Sequence, residues 1–250
     1  MSEPLFSVIT ICWNNLAGVK ATEASLSAQS CTDYEWIVAD GASTDGTVDY
    51  LNALENPRLS FASEKDRGLY DAMNKGFERA TGRYVIFMNA GDVFAHAQVL
   101  VLAAQAIAGA PEVDVFYGDA YEEAGTEKLL KTAFPHDRIW YSMFTHHQSM
   151  IYKRSAIGDL RYNLDLKIAA DWGLTAEIYT RGGRFHRLNT VVCTFERGGL
   201  SQSGRPDVIA KMYRERLWIY THIFKMNPLK ARAILAAKHG VEAVRYRLPA

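Results

Sequence analysis

The sequence lacks the features of disulfide-bonded, secreted and membrane-spanning proteins. Its three cysteines, Cys12, Cys31 and Cys193, are widely spaced and form neither a CxxC motif nor a Cys/His cluster with metal-ligand spacing. The longest apolar-rich stretch, residues 99–110, is interrupted by Gln105 and is too short to span a bilayer, and no signal-peptide pattern is found at the start. We therefore expect a cytoplasmic protein with reduced thiols.

The sequence also has no net charge, so its overall charge points to no nucleic-acid partner. The charges are unevenly distributed, because residues 205–250 hold ten Lys/Arg and three Asp/Glu, whereas residues 1–204 hold eighteen and twenty-five. A basic tail that includes Trp218, Tyr220 and Phe224 predicts peripheral contact with the cytoplasmic face of an anionic membrane. The alternatives are a solvated helical face, or packing of the tail against the rest of the chain or against a second subunit in a homodimer.

What the sequence does contain is an alternation of strand and helix patterns. Apolar runs rich in β-branched residues predict buried strands at residues 6–11, 34–39, 84–88 and 113–117. Helical patterns lie between and after them, at residues 16–29, 47–54, 69–81 and 98–108. Together they predict an α/β fold, with a mostly parallel sheet covered by helices on both faces.

The pattern divides the chain into three parts. Strict alternation covers residues 1–118, a mixed region follows at 119–204, and a tail at 205–250 holds two amphipathic helical patterns, 208–224 and 229–246. Open parallel sheets bind ligands at the carboxyl ends of their strands. Functional residues are therefore expected directly after the predicted strands of the first part.

The residues after the first strand argue against one class of enzyme. A dinucleotide-binding fold requires G-x-G-x-x-G at this turn, whereas the chain has Cys12-Trp13-Asn14-Asn15. After the second strand comes a turn that begins Asp40-Gly41. Asp40 can accept hydrogen bonds from the edge of a nucleobase, and Gly41 allows the backbone close approach. The alternative is an ordinary turn with a helix N-cap.

Two further polar segments suit a diphosphate and its cation. In the loop at residues 64–76, Arg67 and Lys75 are candidates for binding a diphosphate and Asp66 for binding the base or ribose, with a solvated helix start as the alternative. After the strand at 84–88 comes Asn89-Ala90-Gly91-Asp92. A leaving diphosphate needs a divalent cation to absorb its charge, and Asp92 offers a carboxylate for Mg²⁺ or Mn²⁺.

Together these segments resemble glycosyltransferase family 2, the inverting enzymes with the GT-A fold, and within it the bacterial exopolysaccharide members of the colanic-acid WcaE type. The resemblance covers about residues 5–203. The segments that carry it are Ser7-Val8-Ile9-Thr10, D-G-A-S-T-D-G-T from Asp40, E-K-D-R-G-L-Y-D-A-M-N-K-G from Glu64, N-A-G-D from Asn89, Thr145-His146-His147-Gln148 and Ala169-Ala170-Asp171-Trp172. One departure is that the usual D-x-D has become Asn89-x-x-Asp92.

The resemblance implies a GT-A domain at residues 1–204, with a nucleotide-sugar-binding half at 1–118 and an acceptor-side half at 119–204. The donor-site residues that it implies are Thr10, Asn14, Asp40 and Asn89, with Asp92 as the ligand of Mn²⁺ or Mg²⁺. It also implies that Asp171 is the general base. That role has independent chemical sense, because inversion by direct displacement needs a carboxylate opposite the departing diphosphate; a helix N-cap is the alternative.

Further candidates lie on the acceptor side. His146 and His147 could ligate the metal or position the acceptor together with Gln148, with a purely structural role as the alternative. A glycine loop with Arg197 could close over the donor, with an ordinary surface loop as the alternative. The residues expected to contact the acceptor or the sugar are His146, His147, Gln148, Trp172, Arg197 and Ser201.

The expected function is transfer of one sugar from a nucleotide-sugar, with UDP-sugars the family expectation, to a lipid-linked oligosaccharide in exopolysaccharide or cell-surface glycan synthesis. The Q-x-x-R-W signature of processive members is absent, since residues 213–218 read YRERLW. One alternative is a scaffolding subunit of a polysaccharide complex, suggested by Asn89. Another is a sugar-nucleotide pyrophosphorylase, which would need a glycine- and lysine-rich loop after the first strand.

Overall fold

The computed structural model describes residues 3–199 and 203–245, and a single mixed β-sheet forms its centre. The strands are β1 (Phe6–Cys12), β2 (Tyr34–Asp40), β3 (Leu59–Ser63), β4 (Tyr84–Phe87), β5 (Val93–Phe94), β6 (Val115–Ala124), β7 (Glu127–Lys131), β8 (Met150–Lys153) and β9 (Phe185–Glu196). Their order is β3-β2-β1-β4-β8-β6-β9-β5, and β7 pairs with β6. The carboxyl ends of the parallel strands β3, β2, β1 and β4 therefore share one edge.

Helices connect and cover the strands. They are α1 (Leu16–Ser27), α2 (Thr47–Ala53), α3 (Leu69–Glu78), α4 (Val99–Gly109), α5 (Arg154–Ile157), α6 (Ala170–Thr180), α7 (Pro206–Trp218) and α8 (Pro228–Arg245). A π-helical turn, Ile219–Ile223, continues α7. The antiparallel strand β8 lies between β4 and β6 and joins the two halves of the sheet.

The strands and helices predicted in the first half are present, and two strands, β3 and β5, were missed. β3 went unrecognised because its residues are only half-buried or exposed, so the segment shows no apolar run. In the second half, β6 continues to Ala124, beyond the predicted end at residue 117. The mixed region contains β7 and β8, which pair antiparallel to their neighbours, and β9, which pairs parallel to β6 and antiparallel to β5.

The sheet separates two apolar clusters, and β1 contributes to both. Ile9 belongs to the cluster on the α3 side, whereas Val8 belongs to the cluster on the α1 side. Gly76 brings α3 close to the sheet, because a Cβ at that position would lie 2.5 Å from Ile9 Cγ2. This packing places the first turn of α3 and the loop before it at the carboxyl edge of the sheet.

The tail packs against the α3-side cluster. Ile219, Tyr220 and Leu235 are almost fully buried there, and the Trp172 ring meets Tyr220 edge-on with ring centroids 5.4 Å apart. Tyr220 therefore cannot lie in a lipid headgroup layer, and Trp218 and Phe224 are half-buried against the same cluster. Within the described residues, no helix combines the length and apolar character needed to cross a membrane.

Candidate active site

Two cavities open at the carboxyl edge of the parallel strands. The larger, about 1250 Å³, is lined by Asn89, Asp92, His147 and Asp171 among others. The smaller, about 350 Å³, is lined by residues that include Asp40, Asp66 and Lys75. Asp66 lines the smaller cavity and the next residue, Arg67, lines the larger, so the two flank one loop. The structure thus brings Asp92 and Asp171 into one cavity and Asp40 into its neighbour.

Asp40 organises the turn that follows β2. Its carboxylate is 2% exposed and accepts hydrogen bonds from the Ser43 amide (2.9 Å), the Ser43 hydroxyl, the Ser63 hydroxyl (2.6 Å) and the Cys12 thiol (3.3 Å). Burial alone would raise the pKa of Asp40, but the bonds from Ser43 and Ser63 outweigh it and lower the pKa. The four donors occupy the acceptor positions that a nucleobase would need.

Asp66 is better placed than Asp40 to meet a base or a ribose. One oxygen, Oδ1, accepts from the Gly68 amide at 2.7 Å, and among the described residues Oδ2 has no hydrogen-bond partner. Gly41 makes room for it, because a Cβ there would lie 2.7 Å from Asp66 Oδ2. The glycine of the D-G turn therefore permits close approach of a side chain as well as of a ligand.

Asn14 ties the end of β1 to the same turn. Its amide oxygen accepts from the Thr44 backbone at 2.8 Å, and its own N–H donates to the Ser43 hydroxyl at 2.7 Å. Asn14 and Ala42 both adopt positive φ, 47° and 63°, a conformation that is costly outside glycine. The turn after β1 and the turn after β2 therefore each hold one residue in the left-handed region.

Two predicted site residues lie in the core instead. Thr10 is fully buried on the α1 side of the sheet, where its hydroxyl accepts a hydrogen bond from the Trp36 indole at 2.9 Å. Trp172 is 3% exposed, and its indole donates to the Ile139 carbonyl at 2.7 Å. Contrary to prediction, neither residue lines either cavity, because strand and helix periodicity turns each side chain inward.

The two predicted diphosphate-binding cations flank the loop between the cavities. Arg67 is paired with Asp71 at 3.0 Å, and its side chain is 75% exposed at the mouth of the larger cavity. Lys75 donates to the Lys65 carbonyl at 2.8 Å and lies 3.3 Å from a Glu64 carboxylate oxygen. Both remain at the cleft, and both would exchange an intramolecular partner for a phosphate.

Asp92 combines deep burial with a single side-chain partner. It is 7% exposed, and its Oδ2 accepts from the Gln148 amide at 2.8 Å. Burial raises the pKa of Asp92 to about 7. The turn that carries it is held by the Thr22 hydroxyl, which donates to the backbone carbonyls of Asp92 (2.8 Å) and Asn89 (3.2 Å).

These residues fit a hard divalent cation. The Asn89 Oδ1 atom is buried without a hydrogen-bond partner, and Asn89 lines the same cavity as the Asp92 carboxylate. The described residues contain no group of three or more His, Cys, Asp or Glu side chains arranged to hold a metal. A carboxylate and an amide oxygen suit Mg²⁺ or Mn²⁺, which keep several waters and bind substrate phosphates.

Asp171 lies in the first turn of α6 and faces the larger cavity. Its Oδ1 is 3.2 Å from the Tyr70 hydroxyl, and its Oδ2 is 3.8 Å from His147 Nδ1. Burial raises the pKa of Asp171, which suits a group that must accept a proton. The N-cap of α6 is Ala169, so Asp171 is not the N-cap of its helix.

The two histidines differ in their surroundings. Burial lowers the pKa of His147 to about 3, so the ring is neutral, and its Nε2 is buried without a partner. His146 stacks on Phe195 with ring centroids 4.7 Å apart, and its Nε2 lies 3.0 Å from Glu122 Oε1. His147 is therefore the histidine with a nitrogen available to a ligand.

Glu122 is a residue that the sequence patterns did not reveal. It is 5% exposed and binds three cationic or polar groups, namely His146, Arg197 Nε at 3.0 Å and Lys131 Nζ at 3.3 Å. Burial alone would raise the pKa of Glu122, but Arg197 and Lys131 lower it. The charge of Arg197, at the start of the glycine loop, is thus paired with Glu122. Ser201, the other predicted residue of this loop, lies outside the described residues.

The sheet and the cleft are those of a glycosyltransferase with the GT-A fold. The chain belongs to glycosyl transferase family 2, whose family model matches residues 7–174. It is 32% identical over 229 residues to a PGL/p-HBAD biosynthesis glycosyltransferase of Mycobacterium bovis, an alignment that covers 89% of this chain and 88% of the relative.

Two solved structures share the fold at lower sequence identity. S. aureus TarS in complex with UDP-GlcNAc is 21% identical with a TM-score of 0.68, covering 93% of this chain and 70% of that one. The mannosyltransferase PcManGT from Pyrobaculum calidifontis, in complex with GDP-Man and Mn²⁺, is 20% identical with a TM-score of 0.67, covering 95% and 70%.

Proposed function

We propose that this glycosyltransferase transfers one sugar, with inversion, from a nucleotide diphosphate sugar to an acceptor hydroxyl. One observation carries the proposal: Asp92 and Asp171, far apart along the chain, line the same cavity of about 1250 Å³. That volume accommodates a hexose with its diphosphate and an acceptor. The two carboxylates would serve opposite ends of the reaction, one at the leaving group and the other at the nucleophile.

Asp171 acts as the base in this proposal. Its carboxylate takes the proton of the acceptor hydroxyl while the hydroxyl oxygen bonds to the anomeric carbon. The bond from that carbon to the diphosphate oxygen breaks, and its electron pair leaves with the diphosphate. Tyr70 orients the carboxylate from 3.2 Å, and the neutral His147 ring lies 3.8 Å from its other oxygen.

Asp92 and Asn89 would hold the divalent cation, Mn²⁺ or Mg²⁺. The cation would neutralise charge that develops on the leaving diphosphate. Asp92 must be ionised for this, and Gln148 orients the carboxylate by donating to Oδ2. Arg67 at the cavity mouth adds a further positive charge for the diphosphate.

The nucleoside would occupy the smaller cavity. Asp66 has a free oxygen for a base or ribose donor, and Lys75 lies in the same cavity. A UDP-sugar is the donor we propose, on the basis of the family pattern. The fold accepts other nucleotides as well, since its structural neighbours were solved with UDP-GlcNAc and with GDP-Man.

The acceptor we propose is a lipid-linked oligosaccharide of exopolysaccharide or other cell-surface glycan synthesis. Apolar side chains line the outer part of the larger cavity, and Leu130 and Phe134 are 53% and 56% exposed there. Such a rim suits an acceptor that has an apolar portion next to its sugar.

Peripheral membrane contact is part of this proposal, and the start of α8 with the residues just before it is its best support. Leu229 is 75% exposed, and Lys225 and Lys230 are exposed on either side of it. An exposed leucine between lysines suits a surface with anionic headgroups. Sedimentation with vesicles of anionic lipid at low salt should be lost in Leu229→Glu; equal sedimentation of variant and wild type would refute this contact.

The catalytic proposal is tested by nucleoside diphosphate release from a panel of UDP-, GDP- and dTDP-sugars, with lipid extract as acceptor. We expect turnover with Mn²⁺ or Mg²⁺ that EDTA abolishes. Asp171→Asn should retain donor binding and lose turnover. Asp92→Ala should lose turnover and metal binding. Wild-type turnover that persists in both variants would refute the assigned roles.

A further inference from the structure

Glu215 is a buried carboxylate that the proposed mechanism does not use. It lies on α7 and is 5% exposed. Its Oε1 accepts from the Lys167 amide at 2.8 Å, and its Oε2 accepts from the Ile168 and Ala169 amides at 2.9 Å each. A buried carboxylate is costly unless hydrogen bonds satisfy its charge, and three backbone donors satisfy this one. The cluster is therefore a built contact between the tail and the body of the protein.

The three amides belong to the segment that leads into α6. The N-cap of this helix is Ala169, whose methyl group cannot accept hydrogen bonds from the first turn. Glu215 therefore supplies, from a different helix, the negative charge that the amino-terminal end of α6 favours. Asp171 is the second residue of α6, so its position depends on how this segment is held.

Tyr70 holds the same segment from the opposite side. Its hydroxyl lies 2.8 Å from the Ile168 carbonyl and 3.2 Å from Asp171 Oδ1. Tyr70 belongs to the first turn of α3, which follows the loop between the two cavities. The segment is thus clamped between the donor-side helix α3 and the tail helix α7.

We propose that Glu215 is a positioning residue for Asp171, because its hold on three consecutive amides sets where the base carboxylate stands in the cavity. This inference rests on the catalytic role proposed for Asp171. It gives α7 a function that its basic composition does not suggest. The tail completes the active site instead of serving only as a surface for lipids.

The test compares full-length wild type with Glu215→Gln, in which an amide group replaces one acceptor oxygen and the charge is lost. Hydrogen exchange read by mass spectrometry should be at least about tenfold faster at residues 167–169. With a donor that wild type turns over, kcat should fall by about 10–100-fold while the donor KM stays within about twofold. A purely structural role would lower the melting temperature without this split between kcat and KM.

Asp207→Asn is the matched control, since it removes an exposed carboxylate from the same helix. Among the described residues, the ion-pair partner of that carboxylate is Arg205. It should leave exchange and kcat unchanged. If Glu215→Gln does not fold, Glu215→Asp keeps the charge with a shorter reach and should show the same pattern more weakly.

Unchanged exchange at residues 167–169 would overturn the anchoring role. Faster exchange with unchanged kcat would overturn the positioning role. If wild type transfers no sugar from any donor tested, the function proposed above is overturned together with the catalytic half of this inference. The exchange result still decides in that case whether Glu215 holds the segment.

Discussion

Asp92→Asn should stabilise the metal-free protein while it abolishes metal binding. The folded protein holds the Asp92 proton up to a pKa of about 7, whereas the unfolded chain releases it near the ordinary value of 3.8. Between these values the folded state binds the extra proton, so the free energy of unfolding falls by about 1.4 kcal/mol for each pH unit. The loss is complete above pH 7 and amounts to about 4 kcal/mol.

The asparagine variant avoids this loss because its side chain carries no charge, and it still accepts the hydrogen bond from Gln148. The stability difference between variant and wild type should therefore be small at pH 4 and grow to about 4 kcal/mol at pH 8. Urea unfolding in EDTA at several pH values measures it. Other titrating groups are shared by the two proteins and cancel in the difference.

Asp159→Asn is the control, because this carboxylate is 93% exposed and its removal should preserve the wild-type pH profile. Addition of Mn²⁺ at pH 8 should raise the melting temperature of wild type and leave that of Asp92→Asn unchanged. Parallel pH profiles for wild type and Asp92→Asn would show that burial does not shift this carboxyl group. They would also refute the reasoning that places the cation there.

Three further substitutions test other parts of the structure. Asp171→Asn should lower kcat by about 10²–10⁴-fold and leave the nucleotide affinity, measured by calorimetry, unchanged. A loss of nucleotide affinity with unchanged kcat would contradict the role of Asp171 as the base. Glu122→Gln should cost about 1 kcal/mol in urea unfolding, because Arg197 and Lys131 lose their charged partner but stay partly exposed to solvent. Gly76→Ala should cost about 1–3 kcal/mol through its contact with Ile9. Its control, Gly109→Ala, meets no atom within 4 Å and should be neutral or slightly stabilising; equal losses in both would contradict the packing argument.

The carboxyl edge of the parallel strands could be predicted from the sequence because each polar turn follows an apolar strand. Parallel strands that are buried on both faces appear as continuous apolar runs, and β1, β2 and β4 show this pattern. The carboxyl edge then collects the residues after the runs, among them Asp40 and Asp92. No long-range information is needed for that step.

The directions of individual side chains could not be predicted in the same way. Thr10 is fully buried on the α1 face, and the sequence pattern alone does not identify Trp36 as the partner of its hydroxyl. Glu122 and Glu215 are both buried at 5% exposure, yet each stands beside charged neighbours in the sequence and resembles a surface glutamate. Only tertiary packing brings them to their partners. His146 lies 24 residues along the chain from Glu122, and Lys167 lies 48 residues from Glu215.

Buried polar atoms without hydrogen-bond partners are rare, and their positions in this protein distinguish the candidate binding site from the packed core. In the part of the chain that the structure describes, the side-chain atoms of this kind are Asn89 Oδ1, His147 Nε2 and the Tyr162 hydroxyl. The first two line the larger cavity together with Asp92 and Asp171, whose pKa values burial raises. Tyr162 differs because its ring packs between two other aromatic rings, so apolar contact offsets the cost of its hydroxyl. No such packing compensates the groups at the cleft. A ligand that brings positive charge and hydrogen-bond donors would relieve this cost, and the metal-bound nucleotide sugar and acceptor hydroxyl that we propose would supply both.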